Sequence, residues 1–572
     1  MKTFFYGFVF LCFVSISCKT SRPELEETTR IGKSIVPVSA KEAMVVSARK
    51  EASEIGVSIL RQGGTAFDAM IAVEMALAVA YPFAGNLGGG GFMVFRKADG
   101  TTGSLDYREK APLAAYRDMY LDSLGNPISE KSRSGGLAIG VPGTVAGIFA
   151  VYDSLATLPM QTLLQPVVDL ATQGIRITQK QAQRLQKYRT QITAVSGDSI
   201  LFANSFATGD TLRNPKLAQT LEQIATEGRS AFYSGIIRDQ LVEFIQSHGG
   251  IITREDFDQY ETKWRKPIQF SYKDLRIISM APPSSGGVAL AQIMKMIEPY
   301  PIHRYGHNST KSIQVLTEAE RRAYADRSYY LGDPDFVSVP VDSLLDKNYL
   351  QNRMNTFTFD RATASESLSH GQLSISESTE TTHYSIVDAF GNAVSVTTTL
   401  NGAYGSKLYC EELGFFLNNE MDDFSSKSGT PNMFGLIGAE ANAIAPGKRM
   451  LSSMTPTIVE KDHKLWMVVG TPGGSTIITS VLQTLLNVYE HQMNIQEAVE
   501  APRFHHQWLP DQITLEPGAF SAVIKDSLES KGYTLRESES VIIGKVDAIL
   551  IDSDRNLQGG ADPRGDDHAV GY

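Results

Sequence analysis

The sequence predicts a globular protein of mixed helices and strands, the α/β (α+β) class, and three observations support this. The 572 residues are 42% hydrophobic, which is ordinary for a chain that folds around a core. Residues 144–330 alternate helical segments with short strands, and the pattern from Thr381 onwards is strongly that of β-strands. A chain of this length can form two or more domains or one large two-layer structure.

Two helices are predicted near the start of the folded region. The first, KEASEIGVSILRQGG, has apolar residues at helical spacing and ends at Gly63 and Gly64. Thr65 can cap the second, TAFDAMIAVEMALAVAYP, which is apolar nearly all round. Because Asp68 and Glu74 interrupt it and it is short, we predict a buried central helix rather than a membrane span.

A run of glycines, residues 88–91 in GNLGGGGFMVF, leads into the next predicted strand. Such a turn could form an oxyanion loop, but the chain has no GxSxG nucleophile elbow that would use it. Close packing of neighbouring backbones is therefore the preferred interpretation.

The first 18 residues are predicted to be an export signal, because a lysine precedes an apolar run too short to span a membrane. Cys18 resembles the lipidated cysteine of bacterial lipoproteins, although Ser15 stands where such sites usually carry leucine. Lipidation of Cys18 and ordinary signal-peptidase cleavage both remain open. Either places the protein outside the cytoplasm: periplasmic, anchored to the outer membrane, or secreted. A polar spacer over residues 19–40 follows.

Charge and cysteine content limit the partners and the chemistry. The net charge of −10, with no run of five basic residues, excludes nucleic acid as an expected partner. Of the three cysteines, Cys12 and Cys18 lie in the signal, so Cys410 cannot form an internal disulfide. We predict that Cys410 is a small buried apolar residue rather than a catalytic thiol.

The texture of the sequence changes before Thr381. Residues 361–380 are rich in serine and poor in residues that form a core, which predicts a mobile linker. Two predicted strands then follow, THYSIVD and AVSVTTTL, joined by AFGN. A proenzyme that is cut between Glu380 and Thr381 needs this organisation, but an ordinary interdomain linker has the same appearance.

The turn between the two strands predicts their register. A three-residue loop of Ala389, Phe390 and Gly391, with glycine in the left-handed conformation, pairs Asp388 with Asn392. Counting outwards sets Thr381 opposite Thr399, close enough for their hydroxyl groups to meet. A slip of one residue would bring Thr398 to that position, from the opposite face of the strand.

An N-terminal threonine can act as a nucleophile without a histidine. Its own α-amine, with an unperturbed pKa of about 7.7 to 8.0, is partly neutral at physiological pH and can serve as the base. Thr381 has this amine only if the Glu380–Thr381 bond is broken. The expected agent is Thr381 itself, attacking the preceding carbonyl group to form an ester that water then opens.

Several further motifs, taken with TTHYSIVD, make the chain resemble the γ-glutamyltranspeptidase family of N-terminal-nucleophile hydrolases. These motifs run in order from GNLGGGGFM and LDYREKAP through TTTLN, NNEMDDF, LSSMTPTIV, GTPGGS and APRFHHQWLP to DPR and the terminal GY. The resemblance covers about residue 41 to Tyr572. It implies a four-layer αββα sandwich built from a large subunit, residues 41–380, and a small subunit, residues 381–572, which pair as a heterodimer.

The resemblance also implies roles for individual residues. Thr381 matches the nucleophile and Thr399 the threonine that positions it. Arg108 matches the arginine that binds the substrate α-carboxylate, helped by Ser452 and Ser453, and a guanidinium fork suits a carboxylate. Read without the family, Arg108 would instead be expected to pair with Glu109 or Asp106.

The residues matching the site for the substrate α-ammonium are Asn401, Glu420 and Asp423, whose oxygens are suitable acceptors. Some bacterial members have glutamine in place of Glu420, and alone the acidic run could equally be a solvated turn. Gly473 and Gly474 match the oxyanion hole, since glycines before a helix expose N–H groups.

Two other features are a possible lid residue of the family and a pair of adjacent histidines. Phe434 lies in a stretch resembling the family's active-site lid, where tyrosine is common. His505 and His506 are adjacent, so on a strand they would point to opposite faces, and no second ligand set has zinc-like spacing. We expect structural roles for both histidines and no metal or cofactor.

The activity implied is γ-glutamyl hydrolysis and transpeptidation, with glutathione as donor and water, an amino acid or a peptide as acceptor. One alternative is a cephalosporin (glutaryl) acylase, whose substrates lack the α-ammonium that Asn401, Glu420 and Asp423 would hold. Another is an exported binding lipoprotein on an inactive scaffold. The presence of Thr381 and Thr399 argues against that scaffold.

Overall fold

The computed structural model describes Met1 and residues 35–368, 381–540 and 542–572. Its strands, in chain order, are β1 (Val38–Ala40), β2 (Met44–Ser47), β3 (Gly90–Arg96), β4 (Thr102–Tyr107), β5 (Ile175–Arg176), β6 (Thr211–Leu212), β7 (Lys263–Arg265), β8 (Ile268–Tyr272), β9 (Leu275–Ser279), β10 (Thr382–Val387), β11 (Ala393–Thr399), β12 (Tyr409–Cys410), β13 (Phe415–Phe416), β14 (Thr457–Lys461), β15 (Lys464–Gly470), β16 (Phe504–His505), β17 (Ile513–Leu515), β18 (Leu535–Glu537), β19 (Asp547–Ile551), β20 (Leu557–Ala561) and β21 (His568–Gly571).

The helices are α1 (Lys50–Arg61), α2 (Ala66–Ala80), α3 (Ser129–Arg133), α4 (Thr144–Leu155), α5 (Met160–Gln173), α6 (Gln179–Ser196), α7 (Pro215–Glu227), α8 (Arg229–Tyr233), α9 (Ile236–Ser247), α10 (Arg254–Asp258), α11 (Gly286–Ile297), α12 (Ile302–Tyr305), α13 (Thr310–Tyr330), α14 (Val341–Leu344), α15 (Lys347–Met354), α16 (Ile477–Tyr489), α17 (Ile495–Glu500) and α18 (Ala522–Ser530).

Two seven-stranded sheets form the centre of the molecule. One has the order β1-β20-β19-β15-β14-β9-β8 and the other the order β21-β2-β10-β11-β3-β4-β7. The sheets pack face to face over a shared apolar layer that includes Val46, Val94 and Val468. Helices α1, α2 and α4 pack against the second sheet, with α5 on α2. Helices α11, α16 and α17 pack against the first sheet, with α13 on α11. The predicted four-layer αββα sandwich is therefore the observed fold.

Both sheets combine strands from before and after Thr381. The second sheet places β10, β11 and β21 among β2, β3, β4 and β7, while the first places β14, β15, β19 and β20 among β1, β8 and β9. The chain on either side of Thr381 therefore contributes strands to both seven-stranded sheets. This excludes the alternative of two separate domains joined by a linker.

The hairpin of β10 and β11 has the register predicted from its turn. Thr382 pairs with Thr398 and Val387 with Ala393. Gly391 has a φ of 93°, and its N–H donates to the carbonyl oxygen of Asp388 at 3.2 Å, which closes the three-residue loop. Because the strand period is two, this register fixes which face each threonine presents.

Helix α2 is the buried central helix that the sequence predicts. All fifteen of its residues are buried against the second sheet and its neighbouring helices. Thr65 and Asp68 form a capping box at its first turn, and the Asp68 carboxylate also accepts from the backbone N–H groups of Thr157 and Leu158. Glu74 accepts a hydrogen bond from the Tyr384 hydroxyl at 2.6 Å, so α2 is tied to β10.

The glycine run packs against neighbouring backbone, as predicted. A Cβ atom on Gly89 would overlap the carbonyl oxygen of Thr399 and lie 2.7 Å from Asn86 Oδ1. One on Gly91 would lie 2.7 Å from the carbonyl oxygen of Thr397. These contacts let β3 lie directly beside the end of β11, where Thr399 is placed.

Other sequence predictions have mixed outcomes. Cys410 is buried in the apolar core, as expected. The linker prediction is wrong for residues 361–368, because Ser365 is buried and hydrogen-bonded to Trp508 and Asp511. Residues 369–380 and the predicted signal, with Cys18, lie outside the described residues. Within the described ranges no helix is long and apolar enough to cross a membrane.

Replacement of Gly89 by alanine is expected to destabilise the protein strongly, because the added methyl group displaces the Thr399 backbone. The expected cost is roughly 3 kcal/mol or more. Gly391→Ala is the control, since its Cβ would have only an ordinary contact of 3.7 Å, leaving backbone strain of about 1–2 kcal/mol. Thermal melting of both variants makes the comparison. An equal loss of stability in the two would contradict the close packing at Gly89.

Candidate active site

Thr381 immediately precedes β10, and the hairpin register continued by one step places it opposite Thr399. Both residues are buried, and Thr381 is 5% exposed. Thr399 Oγ1 accepts a hydrogen bond from the backbone N–H of Asn401 at 2.7 Å, which orients its hydroxyl group. Asn401 has a φ of 71°, so the chain turns sharply as it leaves β11.

The two threonines line one small cavity, which we call the Thr381 cavity. It gathers nearly all of the residues singled out in the sequence, which come from distant parts of the chain. The lining residues are Arg108, Arg327, Thr381, Thr399, Asn401, Glu420, Asp423, Phe434, Leu436, Ser452, Ser453, Met454, Gly474 and Ile477. Gly473 lies outside this set and lines an adjoining cavity that shares Thr381.

Arg108 forms the centre of a buried charged cluster in this cavity. Its Nη1 donates to Glu420 Oε1 and its Nη2 to Asp423 Oδ2, the latter at 2.5 Å. Glu109, one of the partners considered from sequence, lies farther off at 3.6 Å. The other, Asp106, accepts from the backbone N–H of Arg108 and pairs through its side chain with Arg265.

The electrostatics of this cluster follow from its burial. Loss of water raises the pKa of Glu420 well above its ordinary value and that of Asp423 to about 6, while Arg108 opposes both shifts. Burial also raises the pKa of Glu109 to about 7. Glu420 Oε2 is buried without a hydrogen-bond partner among the described residues, so it is available for a further contact.

Ser452 and Ser453 lie on the wall of the Thr381 cavity beside a second arginine. Ser453 Oγ accepts from Nη2 of Arg327 at 3.1 Å, and Ser452 Oγ accepts from the Met454 N–H at 3.1 Å. The carbonyl oxygen of Ser452 accepts from the backbone and side chain of Ser285. This bonding fixes the serine pair at the junction of the loop before α11 and the loop before β14.

Asn401 presents its side chain to the same cavity. Its Nδ2 donates to the carbonyl oxygen of Asn419 at 3.0 Å, so the amide group is held in one orientation. Asn419 in turn accepts from the Gly402 N–H at 2.8 Å. The turn after β11 and the acidic run at Glu420 are thereby locked together.

Gly473 and Gly474 form the turn between β15 and α16. Gly473 has a φ of 143° and Gly474 a φ of 54°, conformations that favour glycine. No acceptor in the described part of the chain takes a hydrogen bond from either N–H. A short 3₁₀ turn, Gly474–Thr476, leads directly into α16, so the partial positive charge of that helix terminus lies beside these N–H groups.

Phe434 covers the glycine turn from the side of the predicted lid. A Cβ atom on Gly474 would lie 2.5 Å from Phe434 Cδ1, so ring and glycine are in direct contact. Phe434 is buried, and its carbonyl oxygen accepts from Gln507 Nε2 at 3.3 Å. The ring closes the cavity by packing.

The two adjacent histidines have hydrogen-bond partners within the core. His505 bonds to Thr479 Oγ1 at 2.8 Å and to Gln507 Oε1 at 2.9 Å. His506 Nε2 lies 3.3 Å from Asp511 Oδ1, and burial lowers the pKa of His506 to about 4. These contacts agree with the structural roles expected from the sequence.

Sequence reasoning missed Arg327, which the structure places on the wall of the Thr381 cavity. It lies in α13, in the stretch EAERRAYADRSYY, whose charges read as an exposed helix face. The signal that could have drawn attention to it is the density of arginines in a helix that proves to be buried along most of its length.

Comparison with known proteins agrees with this architecture. A cephalosporin acylase from Bacillus halodurans superposes with a TM-score of 0.81 over 96% of this chain and 98% of its own, at 23% sequence identity. The γ-glutamyltranspeptidase of Helicobacter pylori superposes with a TM-score of 0.56 at 42% identity, over 59% of this chain and 96% of its own. The fold class is thus that of the N-terminal-nucleophile hydrolases.

Sequence similarity places the chain within that class. The family model described as gamma-glutamyltranspeptidase matches residues 52–572. A glutathione hydrolase proenzyme of Escherichia coli K12 is 46% identical over 541 residues, which cover 94% of this chain and 93% of the relative. The chain belongs to the γ-glutamyltranspeptidase family.

Replacement of Arg108 by methionine is expected to cost stability in a pH-dependent way. Glu420 and Asp423 would remain buried without the cation that pairs with both of them, a loss of roughly 3–5 kcal/mol. Their folded-state pKa values would rise further above the unfolded values, so the penalty grows as pH rises and falls when both are protonated. The melting temperature should therefore drop more at pH 8 than at pH 5.5. Equal drops at both pH values would show that the charges do not govern this cluster.

Proposed function

We propose that this protein is a self-processing γ-glutamyl hydrolase and transpeptidase that uses glutathione and related γ-glutamyl compounds as donors. The observation that carries this is the Thr381 cavity, in which a candidate nucleophile and a buried cluster of both charges face the same space. A γ-glutamyl group ends in an α-carboxylate and an α-ammonium, so it carries the charges complementary to Arg108 and to Glu420 with Asp423.

Exchange of ion pairs explains how such a donor enters a buried charged site. Arg108 and the two carboxylates satisfy each other in the described structure. A zwitterionic donor can insert between them, giving its carboxylate to Arg108, Ser452 and Ser453. The α-ammonium of the donor then binds to Glu420, Asp423 and Asn401. The net charge of the cavity is unchanged, so the exchange avoids leaving a buried charge unpaired.

In the proposed reaction Thr381 Oγ attacks the γ-carbonyl carbon, and the free α-amine of Thr381 takes the hydroxyl proton. The developing oxyanion accepts from the N–H groups of Gly473 and Gly474. The C–N bond breaks, the proton passes to the departing amine, and a γ-glutamyl ester of Thr381 remains. Water, or the amine of an amino acid or peptide, then attacks the ester and regenerates the hydroxyl. Thr399 orients the nucleophile throughout.

Maturation uses the same hydroxyl group. Thr381 Oγ attacks the carbonyl of Glu380, the peptide bond becomes an ester, and water opens the ester to a free carboxylate and a free α-amine. The products are a large subunit ending at Glu380 and a small subunit, residues 381–572, which stay paired. We further propose export by the signal in residues 1–18, with Cys18 as a candidate lipid anchor.

The acylase alternative shares the fold but not the recognition chemistry. A glutaryl group lacks the α-ammonium, so Glu420 Oε2 and Asp423 would stay without the cation they are placed to hold. An inactive binding protein would leave the bond before Thr381 intact. Both alternatives are therefore testable on the purified protein.

Thr381→Ala is expected to give a single uncut chain that does not release glutamate from glutathione, while the wild-type protein gives two fragments and does. One hydroxyl serves both steps, so both are lost together. A denaturing gel and a glutamate assay provide the measurement, and circular dichroism checks that the fold is intact. Two fragments from the alanine variant would show that an external protease makes the cut.

Thr399→Ala is expected to slow both maturation and turnover by on the order of a hundredfold, because it misplaces the nucleophile. The stability cost should be only roughly 0.5–1.5 kcal/mol, that of one neutral hydrogen bond. Thr398→Ala is the matched control: its hydroxyl donates to the carbonyl oxygen of Gly90 at 3.0 Å, away from Thr381. It should lose similar stability but process and turn over almost normally. Greater damage from the Thr398 variant would overturn the assignment of Thr399.

A further inference from the structure

The Thr381 cavity holds a second buried cation, Arg327, to which the site described so far assigns no role. The residue is 3% exposed. Its Nε donates to Ser285 Oγ at 2.9 Å and its Nη2 to Ser453 Oγ at 3.1 Å. Both acceptors are neutral hydroxyl groups, and Arg327 forms no ion pair with a carboxylate of the described residues.

Such an arrangement is unfavourable for a charged group. A buried guanidinium normally pairs with a carboxylate, because loss of water is compensated poorly by hydroxyl groups alone. Burial lowers the pKa of Arg327 to about 10, which still leaves it protonated at neutral pH. A cation retained under these conditions on the wall of a substrate cavity is well placed to act on an anion that binds there.

The balance of charges in the cavity points the same way. Arg108 and Arg327 are the two basic side chains that line the cavity, and Glu420 and Asp423 are the two acidic ones. When the donor's carboxylate binds Arg108 and its ammonium binds Glu420 and Asp423, the ammonium compensates only one of these two acidic side chains. Arg327 then compensates the other. Its positive charge also lowers the pKa of Asp423 and so favours the ionised form that holds an ammonium.

Ser453 links this cation to the position of the donor. Its Oγ accepts from the Arg327 guanidinium, so its own proton is left to donate. A hydroxyl that accepts from a cation is a stronger donor, since hydrogen bonds in a chain polarise one another. A carboxylate beside Ser453 is the acceptor that such a proton suits.

We propose that Arg327 is a positioning residue for the γ-glutamyl donor, acting through Ser453 on the donor α-carboxylate and balancing the charge of Asp423. The proposal rests on the proposed function, and it makes Arg327 a determinant of selectivity for donors that carry an α-carboxylate. Arg108 binds that carboxylate directly, and Arg327 sets the strength and direction of the serine contact.

The test compares two donors on Arg327→Met. L-γ-glutamyl-p-nitroanilide carries the α-carboxylate, and 4-aminobutyryl-p-nitroanilide lacks it but keeps the amine. Rates are expressed per mole of released small fragment, so that slow maturation does not lower the measured kcat/KM. We expect kcat/KM for the first donor to fall about tenfold or more, mainly through KM, the size of a lost charge-assisted contact. The kcat/KM for the second donor should change less than about twofold, so the ratio of the two kcat/KM values should fall below that of the wild-type protein. Arg327→Lys should restore part of this ratio.

Dependence on pH gives a second readout that a purely structural role would not move. Asp423 interacts electrostatically with Arg108, Glu420, Asp422 and Arg327, and also with Glu109. Removal of Arg327 takes away a cation that favours ionised Asp423. The acid limb of the kcat/KM profile for the γ-glutamyl donor should therefore shift to higher pH in Arg327→Met.

Arg322→Met is the matched control on the same helix. Arg322 is fully buried and paired with Glu318, outside the Thr381 cavity. Its loss should lower the melting temperature at least as much without narrowing donor preference or moving the acid limb. Equal losses on both donors in Arg327→Met, or the same narrowing in Arg322→Met, would overturn the proposal.

Two further outcomes remain distinguishable. If Arg327→Met does not fold, the two donors are compared on Arg327→Lys and Ser285→Ala instead. A wild-type ratio of the two kcat/KM values in both variants would overturn the proposal. If the wild-type protein shows no preference for the donor with an α-carboxylate, the proposed function itself fails, whatever the variants do.

Discussion

The antiparallel pairing of β10 with β11 is the constraint on which the rest of the site depends. These strands lie in the middle of their sheet, with β2 on one side and β3 on the other. Their register decides which threonine faces Thr381, and the glycine run of β3 fits only against that register. Helix α2 then holds the hairpin from behind through Glu74 and Tyr384. Any slip would move Thr399 away and break contacts in two layers at once.

A second constraint is electrical. The cavity beside Thr381 keeps two arginines and two acidic side chains out of water, and the groups of opposite charge lower the cost of burying one another. Such a cluster contributes little net stability compared with an apolar core of the same size. In the function proposed above, it provides a fixed pattern of charge that favours a zwitterionic group over a neutral or singly charged one.

Features set by local sequence could be predicted, and features set by distant contacts could not. The hairpin register follows from Gly391 and the α2 cap from Thr65 and Asp68, because each depends on a few neighbouring residues. The family resemblance named most lining residues of the cavity. Neither source gave the pairing of Arg108 with Glu420, which joins positions 312 residues apart, or the place of Arg327. The ordering of Ser365 was missed for the same reason, since Asp511 lies 146 residues further along the chain.

The sharing of both sheets between the two sides of Thr381 has a consequence for how the molecule would behave once cut. A break before Thr381 removes one covalent bond but leaves every strand pairing and all four layers in place. The strands of the two fragments would then remain interspersed within both sheets, without a flat interface at which the fragments could separate. Dilution alone would not separate them, because separation requires stripping strands from the interior of both sheets. Neither fragment contains either of the seven-stranded sheets complete, so each would depend on the other for its shape throughout the life of the enzyme.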